Sequence, residues 1–226
     1  MGMARYDLGF FVKQSFDFLK TKFGADGVPQ PSIVIDQSVH PTPATYNASR
    51  NLLFLQTKDM EKLDSIGLHY VIGEEVSHYL HYQVNPWLLK TNQAFGDKAN
   101  SAKEEKDREN VTLDYIVFYN FIEFVGSYGA LLYLEKYAGR KKASEFGHDI
   151  ITNLIDDKKS FTDKESCDLA KHGVGYLLGA GVYCEFGDDY LKAAARINSL
   201  EQIKSLIMQP RLEHLKNLLE TRPHES

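Results

Sequence analysis

One helical face constrains this chain more than any other feature. Between Lys58 and Val84, steps of three or four residues pick out Met60, Leu63, Gly67, Val71, Glu74, His78 and His81. That is the spacing of one side of an α-helix. The first half of the stripe is apolar or small and predicts a core-facing surface. The second half continues the stripe with a carboxylate and two imidazoles. Such groups are costly to bury unless something pairs with them. A metal ion, an acidic partner or a cleft has to meet this face.

Charge and size narrow the classes. The net charge of −5 gives no basic footprint, which argues against nucleic acid as a main partner. At 226 residues and 43% hydrophobic, residues 1–226 can bury one core as a single domain. The two cysteines, Cys167 and Cys184, have no ligand spacing and make no disulfide framework. A reducing, cytoplasmic setting is the default. The first residues show no basic segment leading into an apolar run, so no signal peptide is expected.

In chain order, Leu8, Phe11, Val12, Phe16 and Leu19 predict a helix that ends at Gly24. Residues 31–57 predict a small sheet. Pro31 to Asp36 reads as one strand, Ala44 to Asn47 as another stretch, and Asn51 to Leu55 as a further strand. Turn chemistry from Asn47 to Asn51 joins the last two as a hairpin. Thr57 is the expected N-cap of the helix over 58–84. The polar stretch 97–110 predicts a solvated helix or a linker.

From 111 to 221 the pattern is helical. Ile116 to Leu134 carries one charged residue, Glu123. A membrane span is weighed here and disfavoured, because Glu123, Asn120 and Ser127 lie inside the run. A buried central helix fits better. Small residues beside Glu123, such as Gly126 and Ala130, would let another helix or a metal approach. Arg140 to Leu154 predicts a further helix, with Gly139 as a cap. Thr162 to Glu165 has the form of a capping box. The glycines between His172 and Gly181 lack a preceding strand, so they predict close helix packing and not a nucleotide loop.

The run Val71-Ile72-Gly73-Glu74-Glu75-Val76-Ser77-His78 resembles the zinc metallopeptidase helix, His-Glu-x-x-His, with Glu74 at the first ligand position. A small sheet placed just ahead of that helix is similar to the zincin layout. The resemblance covers roughly residues 31–130. It implies an α+β, mainly α-helical, zincin-like fold: a small N-terminal sheet or hairpin, the motif helix, then a helical C-terminal half. It implies Glu74, His78 and Glu123 as metal ligands, Glu123 standing where the third ligand of the Glu-type zincins lies. Glu75 would be the general base, and His172 or Tyr176 would steady an oxyanion. The implied cofactor is zinc or another divalent metal, with iron or manganese suited to two carboxylates. The implied partner is a peptide or protein bound along an edge strand near Asn51 to Leu55.

Two further readings come from the same residues. One is a zincin fold without catalysis, kept for binding. The other is a carboxylate-bridged helical metal protein, which needs a Glu from each of two helices and two Glu-x-x-His motifs, of which Glu75 to His78 supplies one. His78 beside Glu74 is also compatible with an ordinary helix pair. Glu123 and His172 are compatible with a buried pair of their own.

Overall fold

The computed structural model describes residues 7–36, 42–102, 104–157, 164–187 and 190–208, with the side chains of 153–172 and 208 also outside the description. The Thr162 capping box, the His172 ring and residues 209–221 of the expected helical part lie outside the described residues. The fold is mainly helical with a small three-stranded sheet near its N-terminus.

The elements are α1 (Leu8–Phe23), β1 (Ser32–Asp36), β2 (Ala44–Asn47), β3 (Leu52–Gln56), α2 (Thr57–Met60), α3 (Ser65–Val84), α4 (Trp87–Ser101), α5 (Glu105–Ala138), α6 (Arg140–Asp157), α7 (Lys164–Phe186), α8 (Leu191–Ala194) and α9 (Leu200–Met208). Asp7 caps α1 by accepting from Phe10 N–H, and Gly24 ends it in the left-handed region at φ 61°. The apolar stripe of that helix, Leu8, Val12, Phe16 and Leu19, is buried as its spacing requires.

The motif helix begins later than expected. The run from Lys58 breaks after Met60, and α3 starts at Ser65. Asp64, not Thr57, is its N-cap: Asp64 Oδ1 accepts from Gly67 N–H at 2.7 Å. The apolar stripe hides this break because Met60, on the short α2, is still fully buried. The polar stretch 97–110 is likewise split between the end of α4 and the exposed start of α5, with Ala102 extended between them.

The sheet corrects the expected edge strand. Its order is β1-β3-β2, with β1 parallel and β2 antiparallel to β3. The hairpin of β2 and β3 forms as expected, and Asn51 closes its turn at φ 51°. Residues Leu52 to Leu55 therefore pair on both sides and cannot accept a further strand. The strand facing the motif helix is β2, where the Tyr46 ring packs on Tyr79 and Tyr82 of α3.

Helix α5 is the central post, contacted by α3, α6, α7 and α9. It is long and apolar enough to cross a membrane by length and composition, and 83% of its most apolar window is buried within this fold. Glycines set how closely its neighbours come. A Cβ on Gly73 of α3 would lie 3.1 Å from the Ala130 Cα. A Cβ on Gly129 of α5 would overlap Ser77 Oγ. On the opposite face, a Cβ on Gly175 of α7 would overlap the Asn120 carbonyl, and one on Gly179 would lie 2.9 Å from the Phe124 carbonyl. Gly175 and Gly179 thus serve helix packing, as their sequence context predicts, whereas a Cβ on Gly181 would meet nothing within 4 Å.

Candidate metal centre

The contacts along α3 and α5 run in opposite directions. Gly73 meets Ala130, Ser77 meets Gly129, His78 meets Gly126, and His81 meets Phe121. This antiparallel register carries Glu74 and His78, one turn apart on α3, to Glu123 on α5. One ligating atom from each of Glu74, His78 and Glu123 lies within 4.8 Å of the others, and all three residues are buried. His78 Nε2 stands 3.9 Å from Glu123 Oε2. The imidazole fits only because residue 126 lacks a side chain: a Cβ there would overlap the ring, 2.8 Å from Nε2. The small residues beside Glu123 therefore make room for a ligand side chain.

The electrostatics are those of negative charge held without enough positive charge. Burial, then Glu123 and Glu75, push the Glu74 carboxyl well above the usual carboxylate range; a hydrogen bond from Tyr176 opposes them. Glu74 Oε1 and His78 Nδ1 are buried and have no hydrogen-bond partner. Unmet polar atoms are expensive in a protein interior. A divalent cation between Glu74, His78 and Glu123 would offset the carboxylate repulsion and occupy the unpartnered Glu74 oxygen. Two carboxylates and one imidazole form a donor set that suits zinc, iron or manganese. The three residues therefore fit a metal ion.

Glu75 is placed differently. Its carboxylate accepts the Tyr46 N–H of β2 at 2.5 Å. Burial raises its pKa, with His78 and the Tyr46 N–H acting in the opposite sense. Glu75 thus stands beside the ligand group and ties α3 to the sheet. Tyr176 reaches the site from α7, but its hydroxyl is bonded to Glu74. That contact orients a ligand, whereas the expected role was at an oxyanion. His81 is fully buried, with neither ring nitrogen partnered. Burial, then the nearby His78, hold its pKa well below the usual value.

Three residues at the site were not singled out from the sequence. Tyr70 lies one turn before Glu74 and donates its hydroxyl to Ser127 Oγ at 2.9 Å. Tyr82 lies one turn after His78. Tyr119 lies one turn before Glu123. Burial comes first in raising the pKa of Tyr82 and Tyr119, and Glu123 contributes to both. The signal that could have found them is the same step of four that found the ligands.

No protein-family model, curated protein or solved structure matches this chain.

Proposed function

We propose that the protein is a metal-dependent hydrolase whose divalent metal is held by Glu74, His78 and Glu123. The observation that carries this reading is the convergence of three ligating atoms from two helices within 4.8 Å in a buried setting, with a Glu74 oxygen left unpartnered. A bound divalent metal would act as a Lewis acid and lower the pKa of water.

The chain's own residues supply the rest. Glu75, its pKa raised by burial, takes a proton from water and returns it to the leaving group. Tyr176 fixes the Glu74 carboxylate through its hydroxyl, the kind of outer support that keeps a ligand in one orientation. Tyr46 holds Glu75 through its backbone N–H. The likeness of Glu-Glu-x-x-His to the zincin motif supports peptide-bond hydrolysis as the first reaction to test, with zinc as the first metal.

The Tyr46 contact also favours a second reading. A base already bonded to the sheet suits a protein that binds metal or a partner without turnover. Glu75→Gln separates the two. In the hydrolase reading, metal-loaded wild type cleaves members of a mixed peptide library and Glu75→Gln loses cleavage while keeping its metal. Metal-loaded wild type that cleaves none of them supports the non-catalytic reading.

A further inference from the structure

Among the described residues, six buried side-chain atoms have no hydrogen-bond partner, and four of them belong to Glu74, His78 and His81. Those three residues share one face of α3. A metal ion would occupy the Glu74 oxygen. It would leave His78 Nδ1 and both nitrogens of His81 unmet. Unmet polar atoms in a dry interior cost stability, and three of them on adjacent turns need a common reason.

His78 decides which of its nitrogens is left over. Its Nε2 stands 3.9 Å from Glu123 Oε2, which makes Nε2 the ligating nitrogen. An imidazole that ligates through Nε2 carries its proton on Nδ1, and that proton needs an acceptor to fix the ring. His81 follows three residues later, the offset that sets two side chains side by side on a helix. It is 0% exposed. Its ring lies edge-on to Phe121 at 5.2 Å, a contact that a phenylalanine would make as well. Burial, then His78, hold its pKa well below the usual value, so the ring is neutral and keeps one nitrogen as an acceptor. No bond joins the two rings directly, since His78 Nδ1 and both His81 nitrogens are unpartnered. One water bridges buried groups of this kind.

We propose that His81 is the positioning partner of His78, holding the His78 Nδ1–H through one buried water while His78 Nε2 faces the metal. The assignment rests on the metal reading of Glu74, His78 and Glu123. The water accepts from His78 Nδ1–H and donates to the lone-pair nitrogen of His81. It steadies the same ring for which Gly126 makes room.

The test uses the full chain, stripped of metal and titrated with zinc, or with iron or manganese where wild type takes up that ion instead. Affinity is read by competition with a chromogenic chelator, and fold by the thermal midpoint of the metal-free form. His81→Phe and His81→Leu both remove the nitrogens but fill the space differently. His81→Gln keeps a polar end. Both apolar variants lose about 10- to 100-fold in metal affinity. Their metal-free midpoint stays level or rises, because two unmet nitrogens are gone. His81→Gln recovers most of the lost affinity. Affinity falling while metal-free stability holds is what a packing role alone does not produce. Wild-type affinity in both apolar variants overturns the proposal and leaves the metal centre standing. So does a loss that tracks a falling midpoint in both, or one that His81→Gln does not recover. Wild type that takes up no divalent metal overturns the metal reading, and this proposal with it.

Discussion

The two ends of the α3 and α5 pairing use the same two helices and spend their interior differently. At the end formed by Leu68 to Gly73 and Ala130 to Tyr137, the interface is mostly apolar and aromatic, and its one histidine packs among rings. His69 Nδ1 bonds the Ser65 carbonyl at 2.7 Å and its ring stacks on Tyr137 at 3.4 Å, while its Nε2 is buried without a partner. At the other end, Glu74, His78, His81 and Glu123 are all buried, and Glu74, His78 and His81 keep unpartnered atoms. His69 and His78 each keep one unpartnered nitrogen, so what separates a packing histidine from a candidate ligand is the company: aromatic rings around His69, two carboxylates around His78. The stable end holds the helices in register, and the register delivers the ligands. Substitutions at each end should therefore fail in different ways.

The largest expected effect is on chemistry. Glu75→Gln lowers kcat by about 10²- to 10⁴-fold on any substrate found, with metal content unchanged. An unaltered kcat in that variant removes Glu75 from the reaction. Next is Gly126→Ala, whose Cβ would overlap the His78 ring. It weakens metal binding by at least about tenfold, measured by competition with a chromogenic chelator. At the apolar end, Gly73→Ala sets a methyl 3.1 Å from the Ala130 Cα and against Tyr133, away from the His78 ring. It costs about 1–3 kcal/mol of stability in urea unfolding with metal affinity little changed. If the two glycine variants behave alike, the distinction between the ends is lost.

Tyr176→Phe removes the hydroxyl that orients Glu74. The expected loss in metal affinity is about 10- to 100-fold, with little change in fold by circular dichroism. The smallest effect is on pH dependence. The folded pKa of His81 lies well below its unfolded value near 6.5. As pH falls below that unfolded value, the unfolded chain takes up a proton that the folded chain refuses. Stability from this group is then lost at up to about 1.4 kcal/mol per pH unit. His81→Phe, which keeps a ring against Phe121, removes that slope. Parallel urea-derived stabilities of wild type and His81→Phe between pH 7 and 5 would show that His81 is not held neutral by the fold.

The sequence shows much of this arrangement because helix periodicity places residues on faces without reference to neighbours. Glu74 and His78 share an inward stripe, and Glu123 interrupts an apolar helix with small residues beside it. Those patterns locate the three residues the fold brings together. The turn at Asn47 to Asn51 likewise sets the hairpin. Other features depend on partners distant in the chain. The break before Ser65 is masked because Met60 stays buried on both readings of the pattern; the Asp64 cap decides it. Strand order is set by which edge packs on α3, so the pairing of Leu52 to Leu55 on both sides is invisible to local alternation. The Tyr176 bond to Glu74 requires α7 to approach α5 at Gly175 and Gly179, a contact between elements far apart in sequence.

The most direct test is metal content by elemental analysis of protein purified without chelator or affinity metal, with Glu74→Ala and His78→Ala measured beside it. Wild type should carry close to one divalent metal per chain and both variants should lose it, each remaining folded by circular dichroism. Metal-free wild type whose thermal midpoint does not respond to added zinc, iron or manganese would contradict it. In that case the buried carboxylates and imidazoles of α3 and α5 are structural.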